Sequence, residues 1–132
     1  MEICYEFVDT VQVDEVSDVF RKSGIHRPVD DYHRLFNMIH HANLIATARL
    51  SGRLIGIARG FTDYAWCCYL SDLAVDKEFQ KMGVGTNLIR NIQTRLGEGV
   101  KLILVAAPTA VEYYPRIGFE KVEQAFHVPR KY

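Results

Sequence analysis

Residues 79–89 read FQKMGVGTNLI and put Gly83 and Gly85 one residue apart at the head of a run with helical spacing. The stretch before them, Leu70-Ser71-Asp72-Leu73-Ala74-Val75-Asp76, belongs to a strand expected over Trp66 to Val75. After them Val84, Leu88, Ile89, Ile92 and Leu96 fall on one side of a helix that Gly97 and Gly99 end. A strand turning through two glycines into a helix aims main-chain N–H groups at one point beside the positive end of the helix dipole, which suits a pyrophosphate. The same residues also suit a plain tight turn.

Two familiar phosphate loops are excluded by their neighbours. A Walker A loop needs GxxxxGK[ST], and no Lys-Ser or Lys-Thr follows Gly85. A dinucleotide fingerprint needs a third glycine where Leu88 stands, and an acidic residue after the next strand, which ends LILVAA without one.

Working outward, Glu2 to Val8 reads as a strand, and Val13, Val16 and Phe20 recur at helical spacing as far as Gly24. The loop GIHRPVD follows, and Pro28 interrupts any helix there. Asp30 and Asp31 open a second helix with Tyr32, Leu35, Phe36 and Ile39 on one face. Leu44 to Leu50, the Ser51-Gly52 turn and Leu54 to Phe61 form a hairpin. Beyond the glycine helix, Lys101 to Ala106 is an apolar run of the kind buried on both faces of a sheet. A short helix over Pro108 to Tyr114, broken by Pro115 and Gly118, and a closing strand over Phe119 to Val128 complete an α/β order.

The 132 residues read as one domain, 1–132, at 48% hydrophobic and 24% charged, a globular composition. Sixteen Lys and Arg balance sixteen Asp and Glu, which removes the electrostatic pull of a general nucleic-acid or membrane-surface binder. No apolar run nears the roughly eighteen residues of a membrane span, and MEICYEFVDT carries acids where a signal peptide carries bases, so a cytoplasmic location is expected. Cys4, Cys67 and Cys68 fit neither a disulfide framework nor CxxC ligation and read as reduced, mostly buried thiols. His33 and His40 lie two helical turns apart, beyond chelating spacing, and no metal is expected.

Gln80-x-x-Gly83-x-Gly85 after the Leu70–Asp76 strand resembles the acetyl-CoA motif of the GNAT superfamily of N-acetyltransferases, [R/Q]xxGx[G/A]. A second block agrees: Ala110-x-x-Tyr113-Tyr114-Pro115-Arg116-Ile117-Gly118-Phe119 is similar to the family's tyrosine block at the usual distance. The resemblance covers essentially the whole chain and implies a GNAT-like acyl-CoA N-acyltransferase fold, a mixed sheet splayed at the cofactor slot and flanked by helices. It implies that Leu73, Ala74 and Val75 offer main-chain groups to the pantetheine arm of acetyl-CoA. It also implies that Gln80, Lys81, Met82, Gly83, Val84, Gly85 and Thr86 wrap the pyrophosphate. The sequence departs from the pattern at Met82, often basic or small, and at Ala107, where the family often has an Asn that bonds the cofactor arm.

Acetyl transfer to an amine needs a polarised carbonyl, a neutral acceptor and a proton for the departing thiolate. A main-chain N–H of Asp72 to Val75 could polarise the carbonyl. Tyr114, by its match to the family block, is the expected proton donor, since a phenol's pKa of about 10 lies above a thiol's roughly 8.5. Its neighbour Tyr113 reads as packing. Asp72 is a candidate water-relayed base, with a structural carboxylate the competing reading. His26, Tyr64 and Trp66 are candidates to border a small-molecule or peptide amine, with Tyr69 beside them. Direct transfer in a ternary complex is expected, because no His is placed to activate Cys67 or Cys68. Two rivals stand beside this reading: a catalytically silent acyl-CoA-binding module, and a regulator using the loop for ATP or NAD.

Overall fold

The computed structural model describes residues 2–132. Five strands, β1 (Ile3–Phe7), β2 (Leu44–Leu50), β3 (Arg53–Thr62), β4 (Cys67–Val75) and β5 (Lys101–Leu104), lie side by side in chain order. The first four pair antiparallel and β4 pairs parallel with β5, so the sheet is mixed, as expected. Helices α1 (Val13–Ser23) and α2 (Tyr32–His41) bury Val16, Val19, Phe20, Leu35 and Ile39 against one face. Helix α3 (Val84–Leu96) buries Val84, Leu88, Ile89 and Ile92 against the other. Each apolar stripe is the one its periodicity marks, and removing such side chains from water drives the layering.

The helix ends follow local chemistry. Asp31 accepts the N–H of Arg34 and caps α2, satisfying one of the amides that a first turn leaves without a partner. Gly24, at φ +81°, closes α1 by donating to the carbonyl of Arg21.

An irregularity in β4 shapes the site. Gly60 faces Leu70 but the next residue back, Arg59, faces Asp72, so Ser71 is an extra residue in β4. On the N-terminal side of this bulge Cys68 and Leu70 face the α3 layer, while beyond it Asp72 is buried and Ala74 faces the α1 and α2 layer. Pairing with β5 stops at the same place, Leu70 with Leu104. From Ser71 to Val75 the outer side of β4 therefore has no strand beside it.

Three expectations near the C-terminus are corrected. Strand β5 is short and stands at the sheet edge, with Ile103 41% exposed, rather than in the middle. The closing strand over Phe119 to Val128 does not form: its apolar residues Phe119, Val122, Phe126 and Val128 lack the period of two that would turn one face to a core, and Phe126 and Val128 are exposed. The short helix divides into a 3₁₀ turn (Pro108–Ala110) and α4 (Tyr113–Arg116). Helix α4 includes Pro115 instead of stopping before it, because a first-turn position needs no N–H partner. Of the cysteines only Cys68 is buried, Cys4 and Cys67 being exposed at the surface. Among the described residues no helix is long and apolar enough to cross a membrane.

Candidate functional site

A cleft of about 1180 Å³ runs along the outer side of β4, where the splay from β5 opens it. Its floor is Leu73, Ala74 and Val75, and its far wall is the segment Leu104 to Ala107. At one end stands the start of α3. A 3₁₀ turn (Lys77–Met82), capped by Asp76 through the N–H of Glu78, carries the chain there from β4. Gly83 then takes a left-handed φ of +78°, open to glycine and strained for other residues, and the chain enters α3.

The first intrahelical bond of α3 runs from the N–H of Asn87 to the carbonyl of Gly83. The amides of Val84, Gly85 and Thr86 are thus the donors that a helix start leaves without an intrahelical partner, and no side chain caps them. Gly85 and Thr86 line the cleft, while Val84 is wholly buried and does not. These amides at the positive end of a thirteen-residue helix fit a pyrophosphate. Gln80 lines the cleft but is committed to the protein, its amide donating to the carbonyls of Val75 at 2.9 Å and Ser23 at 3.2 Å. It fixes the loop and takes up one lone pair of the Val75 carbonyl. Lys81 and Met82 are exposed on the turn and do not line the cleft.

Tyr114 lines the opposite wall from α4, half-buried, with its ring edge-on to Tyr113 and Phe119. Burial, and the neighbouring Tyr113 phenol, push its hydroxyl above the ordinary phenol value of 10.0. Tyr113 has a role the sequence did not show: its hydroxyl lies 2.7 Å from Oγ1 of Thr86 and pins α4 to the first turn of α3. Ala107 lines the cleft with a methyl group where a family Asn would offer an amide, and the Thr109 side chain stands close by.

Asp72 is placed differently from a water-relayed base. Its side chain is fully buried, Nε of Arg27 donates to Oδ1 at 2.6 Å, and Nε of Arg59 donates to Oδ2. Arg27 also donates to the carbonyl of Ser71, and Arg59 to the Ser71 hydroxyl and the carbonyl of Met38. The carboxylate is a clamp that holds loop 24–31, β3 and α2 to the bulge of β4, and a carboxylate so enclosed has no route to an acceptor amine.

His26 lines the cleft, as does Tyr69, but Tyr64 and Trp66 do not. Tyr64 lies near Arg95 in the last turn of α3, and Trp66 receives the N–H of Lys101 at the start of β5. Thirteen residues of α3 at about 1.5 Å each put that end roughly 20 Å from Gly83. Both aromatics sit in the turn between β3 and β4, at the end of α3 away from Gly83. Arg34 and Met38 from α2, with Arg130 and Tyr132 from the C-terminal segment, complete the cleft instead. Their sequence neighbourhoods carry no motif; only the amphipathic placement of α2 hinted at the first two.

Residues 13–128 match the family model described as an acetyltransferase (GNAT) domain, and the chain belongs to this family. An uncharacterized N-acetyltransferase, ycf52, of Pyropia yezoensis is 30% identical over 94 residues, 67% of this chain and 54% of the relative, so the chain spans about half that protein's length. A probable acetyltransferase from methicillin-resistant Staphylococcus aureus has the same fold, with a TM-score of 0.84 at 20% identity over 99% of this chain and 100% of that one. AAC(6')-Iy, in complex with the bisubstrate analog CoA-S-monomethyl-acetylneamine, aligns with a TM-score of 0.74 at 16% identity over 99% of each chain.

Proposed function

We propose that this chain is an acetyl-CoA-dependent N-acetyltransferase that passes an acetyl group directly to the amine of a small molecule or peptide. The observation that carries the reading is the meeting, in one cleft, of the uncapped amides of Gly85 and Thr86 with a stretch of β4 that no strand covers. Bound there, acetyl-CoA supplies an acetyl group activated as a thioester. The amides at the α3 start hold its pyrophosphate, and the open main chain of Leu73 to Val75 holds the pantetheine arm. A β4 N–H in this stretch polarises the thioester carbonyl. Tyr114, kept protonated by burial, donates its proton to the departing thiolate. With Asp72 locked between arginines, the acceptor's proton leaves by water or through His26, which lines the same cleft.

A second reading rests on Ala107, whose methyl removes one cofactor anchor: a silent module that binds acyl-CoA without turnover. The deciding experiment offers acetyl-CoA and an amine panel and follows free thiol. Release that depends on the amine and falls in Tyr114→Phe supports the enzyme. Calorimetric binding of CoA with no release on any amine supports the module, and a thermal shift with ATP or NAD but none with CoA overturns both.

A further inference from the structure

The acceptor end of the cleft is strongly basic. Arg27, Arg34, Arg59 and Arg130 all line it, and no Asp or Glu among the described residues does. Asp72 lies beneath the lining and offsets one of these charges, the end carboxylate of the 132-residue chain, on Tyr132, accepts from Arg34 and offsets a second, Asp30 is bonded to Arg21 on the outer side of the loop, and Asp31 is taken up as the α2 cap. The chain as a whole carries no net charge, so this excess is local.

Arg27 and Arg59 are not placed for a pyrophosphate at the α3 amides. Arg27 and Arg59 meet β4 at Ser71 and Asp72, whereas the α3 amides lie beyond Val75, about 13 Å further along a strand rising roughly 3.3 Å per residue. Two of the four have donors to spare. Arg34 spends one N–H on the main-chain oxygen of Tyr132 at 3.2 Å, and among the described residues Arg130 has no side-chain hydrogen-bond partner, although a guanidinium carries five N–H donors. Arg27, whose side chain is 27% exposed, is held in position by its bonds to Asp72, Ser71 and His26.

Taking the acetyl-transfer reading as its basis, we infer that the acceptor is an amine that also carries an anionic group, a carboxylate or phosphate, bound by the arginines of the cleft with donors to spare, Arg34 and Arg130. A guanidinium matches either group in a two-point bond. The same mouth repels polycations, since bringing like charges together costs energy with nothing to offset it. The acceptor class is therefore opposite in charge to an aminoglycoside or a polyamine.

The test uses pairs of amines with and without an anionic group, compared per neutral amine present because the group also changes the basicity of the nitrogen: phenylalanine against phenylalaninamide, and 2-aminoethyl phosphate against ethanolamine, with spermidine as the polycation. The first pair presents a carboxylate and the second a phosphate, so the two anionic groups are told apart. The anionic member of at least one pair is expected to show kcat/KM about tenfold or more above its neutral partner, the factor one charge-assisted hydrogen bond supplies. That ratio should shrink as salt rises, and fall toward one in Arg34→Met and Arg130→Met. Transfer with no charge bias, or fastest transfer to spermidine, overturns the inference and leaves the acetyltransferase reading standing. If no amine is acetylated, calorimetry with N-acetylphenylalanine separates the two: binding lost in Arg34→Met supports the basic acceptor site without the enzyme, and no binding overturns it.

Discussion

The phenol oxygen of Tyr113 lies 2.7 Å from Oγ1 of Thr86, twenty-seven positions earlier in the chain. This bond joins the one-turn helix α4, too short to hold itself in water, to the helix start proposed to bind pyrophosphate. The two adjacent tyrosines should therefore fail differently. Tyr113→Phe loosens α4 and is expected to raise the KM for acetyl-CoA severalfold, with kcat reduced by less. Tyr114→Phe removes the proposed proton donor and is expected to lower kcat by about a hundredfold or more, the range for general acids, with little change in CoA affinity. Steady-state kinetics with calorimetric CoA binding reads both, and equal losses in both variants would refute the division of roles.

The pH profile offers a separate check on Tyr114. Burial raises its hydroxyl above 10.0, so the acid form persists through neutral and mildly alkaline pH. The rate should rise with pH as the acceptor amine deprotonates, and a descending limb from Tyr114 should begin only above pH 10. A limb near pH 8 to 9 that Tyr114→Phe abolishes would contradict this assignment.

Much of the architecture was legible because it is local. The stripes of α1, α2 and α3 and the β2–β3 hairpin repeat at 3.6 or 2 residues, and a few neighbours fix each. What was hidden depends on distant partners. Arg27 and Arg59 reach Asp72 from 45 and 13 positions away, so nothing around Asp72 announces a clamp in place of a base. The bulge at Ser71 is equally invisible, since an extra residue exists only relative to the strand opposite. That Tyr64 and Trp66 lie away from the cleft was hidden, because aromatic content says nothing about which end of β4 borders it. The closing strand failed on a local signal that was present, the irregular spacing of Phe119, Val122, Phe126 and Val128.

The clamp makes a stability prediction. Asp72 is wholly buried and Arg59 nearly so, and deleting one partner of such a group leaves charge uncompensated in the interior. Asp72→Ala, which strands two arginines, is expected to cost about 3–5 kcal/mol in denaturant unfolding. Arg27→Met, at a half-buried partner, should cost clearly less. Equal costs would mean that Arg27 alone carries the clamp despite its greater exposure.

Asp63 gives the fold a defined acid response. Its carboxylate accepts from the N–H groups of Trp66, Ala65 and Cys67, which stabilise the charged form and lower its pKa from 3.8 to about 2. A depressed carboxyl contributes stability that is complete above its unfolded value and is lost as pH falls toward the folded one. The turn between β3 and β4 should therefore loosen between about pH 4 and pH 2. Carboxyl chemical shifts would report the titration directly, and Asp63→Asn should remove that portion of the acid sensitivity. An Asp63 midpoint near 4 would show that the three amides do not hold the charge.

Two glycines separate strain from packing. A methyl added at Gly83 meets nothing within 4 Å, so Gly83→Ala acts only through its φ of +78°, at a cost of about 1–2 kcal/mol. The chain can relieve that strain by rotating the turn, which redirects the amides of Gly85 and Thr86, so affinity for CoA should fall beyond what lost stability explains. At Gly56 the added methyl lies 3.0 Å from Cγ1 of Val84 and 3.3 Å from Cδ1 of Leu88, in the contact between β3 and α3. Gly56→Ala pushes α3 off the sheet, costing about 1–3 kcal/mol by overpacking, and reaches the site only by shifting the whole helix. Thermal unfolding and CoA titration on both variants should show a larger loss of affinity per unit of lost stability for Gly83→Ala. The reverse order would mean that the seating of α3, rather than the turn at its head, sets the geometry of the phosphate site.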